Sequence, residues 1–181
     1  KGEWHHIAIT REHPMGAFKI YVDGKEWFTN PIIGRQFLGN VSGTFRIGGS
    51  PLASYNRYFI GAISEFRVTK ACRYFGDFTL PTIAEEMTDV YYGDTNLLMH
   101  LDKINKNPLT AITDYRGHTV TASGTPLISG ITPFNSGSSV YLSATPDYLT
   151  TTYDSRFDLS TGDWTIEFWV RPGTVQTQYM T

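Results

Sequence analysis

Hydrophobic and polar residues alternate along much of this chain with a period of two, the repeat that puts successive side chains on opposite faces of a β-strand. In WHHIAIT, His5, Ile7 and Ile9 share one face, while Trp4, His6, Ala8 and Thr10 share the other. In AFKIYVDGKEWF, Phe18, Ile20 and Val22 line one face, Asp23-Gly24 makes a tight hairpin turn, and Lys25 to Phe28 return. GTFRIGG is a short strand ending in Gly48 and Gly49. YFIGAISEFRVTK carries Phe59 and Ile63, then changes phase from Ser64 to Phe66 and Val68; Gly61 inside the run predicts a bulge or a close backbone approach. NLLMHLD reads as a short buried run, and SSVYLS and DYLTTT are separated by the turn signal Ala144-Thr145-Pro146. In DWTIEFWVRP, Trp164, Ile166, Phe168 and Val170 face one way and Thr165, Glu167, Trp169 and Arg171 the other. The second face is only half polar, which predicts a central strand rather than an edge.

No segment carries a 3.6-residue apolar period. IAEEMTDVYYG, from Ile83 to Gly93, reads as a short helix or a linker, and its acidic character sets it apart from both flanks. The expected class is therefore all-β, with short antiparallel strands in a sandwich or barrel.

Composition narrows the function classes. At 181 residues, with 40% hydrophobic and 18% charged, the chain has material for one good core or two small ones. A net charge of -2 argues against electrostatic nucleic-acid binding. The single cysteine, Cys72, excludes an intrachain disulfide framework. No apolar run is long enough for a helix to span a bilayer, so no membrane insertion is expected.

The order and spacing of these motifs resemble a concanavalin A-like, laminin G-like jelly roll. GEWHHIAITRE, FKIYVDGKEW, GTFRIGGSP and YFIGAISEFRVTKACRYFGDFTLP are similar to the second half of such a domain. NLLMHLD, ITDYRGHTVTASGTPLIS, GSSVYLSATPDYLTT and FDLSTGDWTIEFWVRP are similar to its first half. The expected organisation is residues 1–82 as a C-terminal half, 83–95 as a linker and 96–181 as an N-terminal half. The halves then belong to tandem domains of a longer chain, the favoured arrangement, or pack together as one permuted domain. The fold the resemblance implies is an antiparallel two-sheet jelly-roll sandwich with Trp164, Ile166, Phe168, Val170, Ile7, Ile9, Phe18, Ile20 and Val22 in its core.

Hydrolytic enzymes share this fold, so catalysis needs a test. A retaining glycosidase requires two carboxylates about 5–5.5 Å apart. Glu65 and Glu167 each stand alone in their motifs, and Asp23 and Glu26 flank a turn, so all four read as solvated surface or turn carboxylates. His5 and His6 point to opposite faces and cannot chelate one metal, and His13, His100 and His118 are isolated. No catalytic residue is expected. Calcium is the metal the resemblance implies, with Asp102 and Asp114 as candidate ligands near strand ends and Asp147 in a similar place. Tyr55, Asn56, Arg57 and Tyr58, in a loop after Gly48-Gly49, combine rings that stack on sugars with groups that hydrogen-bond hydroxyls, and are the candidate carbohydrate-binding residues. Asn40-Val41-Ser42 is a formal glycosylation acceptor.

Domains of this type occur in adhesins and phage tail fibres, and RVTKACRYFGDFTLP is similar to the tail-fibre versions. The resemblance implies a non-enzymatic virion or extracellular-surface module for host attachment through carbohydrate. Its expected partners are a glycan or host-surface receptor, and other virion subunits or copies of itself. A structural spacer and a laminarinase-like hydrolase are the alternatives.

Overall fold

The computed structural model describes residues 2–13, 17–31, 44–50, 58–82, 89–101, 109–134, 137–143, 146–152, 154–159 and 162–173. Among the described residues, twelve strands run in chain order: β1 (His5–Arg11), β2 (Ala17–Val22), β3 (Lys25–Pro31), β4 (Phe45–Ile47), β5 (Gly61–Thr69), β6 (Thr95–Met99), β7 (Ala111–Thr113), β8 (Thr119–Ser123), β9 (Leu127–Ser129), β10 (Ser139–Leu142), β11 (Tyr148–Thr151) and β12 (Trp164–Pro172). They form two antiparallel sheets. The larger runs β3-β2-β1-β12-β5-β10-β9, with β6 also paired to β5, and the smaller runs β4-β11-β8-β7. Among the described residues the helical turns are short 3-10 pieces at Tyr92–Asp94 and Ser155–Phe157, and no helix is long and apolar enough to cross a membrane.

Strand β12 sits between β1 and β5, so Ile166 pairs with Ile9 on one side and Val68 on the other. Its central place agrees with a strand that is apolar on one face and only half polar on the other. Residues from 96 onward thus share a sheet with residues before 82. Strands β10 and β11 are neighbours in sequence but lie in different sheets, so the connection at Pro146 crosses the sandwich.

Two glycines are set by close approach. Asp23 and Gly24 both have positive φ, 51° and 76°, as a tight primed hairpin turn requires. A Cβ on Gly24 would lie 2.3 Å from the Phe78 carbonyl oxygen. Gly61, at φ +149°, has the Arg171 carbonyl oxygen 2.4 Å from where a Cβ would be, so its role is close approach. The bulge falls four residues later. Glu65 takes φ 51°, and the register steps from Glu167↔Arg67 to Trp169↔Ser64. This is the change of phase visible in the sequence.

Between the sheets lie Phe66, Val68, Leu97, Met99, Val120, Val140, Leu142, Leu149 and Trp164, all buried. Phe66 stacks on Phe168 with centroids 5.5 Å apart, and Phe45 stacks on Phe157 at 5.6 Å. Ile9, Phe18, Ile166 and Phe168 pack against this core but are only partly buried. Ile7, Ile20 and Val22 are also half-buried, which corrects the expectation that they form deep core.

The better sealed face is the mixed one. His6, Ala8, Thr10, Tyr21, Thr165 and Glu167 are each at most 1% exposed. The segment after β5, residues 70–82, runs back over this outer face as a strap. Thr165 Oγ1 donates to the Ala71 carbonyl and accepts from the Arg73 amide, while Tyr21 donates its hydroxyl to the Tyr74 carbonyl. Tyr74 stacks on Phe78 at 3.6 Å, and Phe78 meets Tyr21 and His6 edge-on. The Phe78 amide donates to the Gly24 carbonyl, which anchors the strap at the β2–β3 turn.

Candidate functional site

The rim of the sandwich around β4 and β11 holds the one described member of the predicted sugar-binding loop. Tyr58 bridges to Gly49 and stacks on Tyr148, with centroids 6.2 Å apart and planes at 25°. The Arg46 guanidinium lies 4.9 Å from the Tyr148 ring centre. These three side chains are half-buried and make an aromatic and cationic group at the sheet end. Tyr55, Asn56 and Arg57 lie outside the described residues, as do Asp102 and the Asn40 acceptor triplet.

Asp114 is 5% exposed, and its carboxylate closes a turn. It accepts the Leu98 amide at 2.9 Å and the His118 amide at 2.5 Å. Asp147, 1% exposed, accepts amides from Thr125 and Ser143, both at 2.8 Å. Each carboxylate is thus already engaged by backbone donors, the ordinary use of Asp at turns. Among the described residues, no group of three or more His, Cys, Asp or Glu is placed to hold a metal ion.

Glu167 overturns the expectation of a solvated carboxylate. Strand β12 aims it at the outer face, where the strap buries it to 1% exposure. Arg67 Nε and Arg73 Nε lie 2.8 and 2.9 Å from its Oε1 as close charge contacts. Tyr74 donates its hydroxyl to Oε2 at 2.6 Å, and His6 Nε2 lies 3.4 Å from the same oxygen. The same two arginines reach Asp89: Arg67 Nη1 at 2.7 Å and Arg73 Nη1 at 2.9 Å from Oδ2. Asp89 also accepts the Tyr91 amide at 2.9 Å. Two guanidinium groups therefore balance two carboxylates under the strap. Burial alone pushes the Glu167 carboxyl upward, but His6, Arg67 and Arg73 outweigh it and bring it down to about 2. Burial raises the Tyr74 phenol, and the Glu167 charge raises it further.

Glu65 and Glu167 do not stand apart. With His6, Arg67, Pro81, Thr82, Leu98 and Trp169 they line one small cavity of about 10 Å³. That is room for a single water molecule and far less than a pyranose ring needs. Glu65 is also engaged outward, with Oε2 2.5 Å from His100 Nδ1, and His100 meets Tyr115 edge-on at 4.4 Å. Two carboxylates thus line one cavity, but the cavity is small, Glu167 is paired with two arginines and Glu65 with His100.

The remaining histidines take structural places. His5 and His6 point to opposite faces: His5 Nδ1 is 2.8 Å from Asp23, whereas His6 is buried. His118 Nε2 is 2.9 Å from the Asn96 carbonyl oxygen, and the His13 amide donates to Asp163. Sequence reading missed Arg67 and Arg73 as partners of Glu167, and Asp89 as the second carboxylate those arginines pair with. The available signal was Glu167 itself, since a charge on a two-sided central strand demands buried partners.

Comparison with known proteins adds one positive finding. Searches of curated proteins and of solved structures each returned no match. A laminin G family model, described as the concanavalin A-like lectin/glucanases superfamily, matches residues 1–73, which include β1 to β5. The two antiparallel sheets are consistent with that superfamily's sandwich. Residues 1–73 are thus similar to a laminin G-like domain of the concanavalin A-like lectin/glucanases superfamily.

Proposed function

We propose that this chain is a non-enzymatic recognition module that binds carbohydrate at a virion or cell surface. The observation that carries the non-enzymatic part is the small cavity that Glu65 and Glu167 both line. It has room for one water, and its buried carboxylate is held by two arginines, so neither oxygen is free to attack or protonate a glycosidic bond. The lectin/glucanase family supports the carbohydrate part, as does the Tyr58, Tyr148 and Arg46 group, which offers ring edges and a cation at the rim. Loops and strand ends on a rigid sandwich are where binding residues concentrate.

The finer reading is a host-attachment module of the phage tail-fibre kind, present in many copies, so that weak single sites add up. It rests on the likeness of the strap sequence to tail-fibre domains. A glycan array probed with the intact chain tests carbohydrate recognition. Retained glycans whose signal falls in Tyr58→Ala and Tyr148→Ala would support the rim. An array with no retained glycan, and a parent particle whose adsorption is unchanged by these variants, would leave a structural spacer instead.

A further inference from the structure

The outer strand β3 carries the most exposed aromatic ring described in the protein. Trp27 is 71% exposed and its neighbour Phe28 is 44% exposed. In a regular strand these two side chains would point to opposite faces. Here the pairing steps from Ile20↔Phe28 to Tyr21↔Glu26, so Trp27 is the extra residue of a bulge. The two rings come together at the sheet edge, with centroids 6.5 Å apart and planes tilted by 44°. Tilted rather than stacked, neither ring covers the face of the other.

Polar groups beside them are held in place. The Glu26 carboxylate accepts the Thr29 hydroxyl and a Lys19 ammonium at 3.1 Å. Asp77 of the strap accepts the Glu26 amide at 2.9 Å and pairs with Lys25 at 3.0 Å. All these contacts lie at the surface.

We propose that Trp27 and Phe28 form a saccharide-stacking platform, a binding site separate from the Tyr58 rim, which takes a neutral pyranose unit. The inference rests on the carbohydrate-recognition reading but assigns it a place that reading does not use. An open indole face accepts the apolar side of a sugar ring, and the fixed carboxylates and ammoniums beside it suit hydroxyl groups. Two other occupants fit less well. A partner strand would need a regular row of backbone groups along β3, and the bulge at Trp27 and Pro31 at the strand end interrupt that row. A lipid surface is disfavoured by the carboxylates of Glu26 and Asp77 among the lysines.

The test titrates the intact chain with neutral hexasaccharides of β1-4 glucose, β1-3 glucose, α1-4 glucose and β1-4 galactose, following the Trp27 indole N–H by NMR. At least one should shift that signal saturably, and Trp27→Ala should weaken its binding about tenfold, while Trp27→Phe keeps most of it. The urea midpoint of Trp27→Ala should stay near the parent value, because the ring is exposed. Binding that survives Trp27→Ala, or is lost only in Tyr58→Ala, overturns this site and leaves the carbohydrate reading standing. Loss of self-association rather than sugar affinity in Trp27→Ala overturns it in favour of a second copy. No retention of any glycan, here or on the array, overturns both.

Discussion

Replacing Glu167 with glutamine tests the account of the strap most directly. The substitution keeps shape and removes one negative charge. Arg67 and Arg73 would then share Asp89 alone, at 2.7 and 2.9 Å, inside a region where Glu167 is 1% exposed. Breaking a buried ion pair by removing one partner costs about 3–5 kcal/mol, because the charge left behind stays desolvated. The pH linkage gives a similar size. A carboxyl lowered from 4.5 to about 2 contributes on the order of 3 kcal/mol when ionised. The sign follows from the depressed value: this stability is present above pH 4.5 and is lost as pH falls through about 2. Urea unfolding at pH 7 should therefore show a loss of about 3–5 kcal/mol, and the melting temperature should drop by roughly 10–15 °C for a chain of this size. Between pH 4.5 and 2, the parent should lose stability more steeply than Glu167→Gln. Adding Arg73→Met to Glu167→Gln should recover part of the loss, because an unpaired buried guanidinium is removed. A Glu167→Gln variant within about 1 kcal/mol of the parent, with the same acid profile, would refute the claim that this network pins the strap.

Other outcomes follow from burial and spacing. Trp164→Ala, at a 2% exposed ring in the core, should cost about 3–5 kcal/mol in urea unfolding, and more than Phe168→Ala, whose ring is only partly buried. Gly61→Ala should destabilise by at least about 2 kcal/mol, since its Cβ would lie 2.4 Å from the Arg171 carbonyl oxygen; Gly76→Ala, with nothing within 4 Å, serves as the control. Because Asp114 and Asp147 are already engaged by backbone amides, chelator should leave the melting temperature unchanged; a clear rise with millimolar calcium would show a site at other residues, Asp102 among the candidates.

The positions of the strands were legible in the sequence, because a period of two is a local property of the chain. Asp23-Gly24 announced its hairpin, the half-apolar second face of DWTIEFWVRP announced a central strand, and the phase change at Ser64 to Phe66 was visible, although the bulge expected at Gly61 falls at Glu65. Which face of those strands is buried more deeply was not local information. Ile7 and Ile20 look like core and are half-buried, while His6 and Glu167 look like surface and are sealed. The difference arises because residues 70–82 fold back over the outer face, a contact spanning about ninety positions between Tyr74 and Glu167. The cavity lined by both Glu65 and Glu167, the pairing of Asp89 with Arg67 and Arg73, and the placing of Trp27 beside Phe28 likewise depend on register and chain return. Periodicity assigns each residue to a face; only the packed molecule decides what covers that face and supplies the partner for a charge on it.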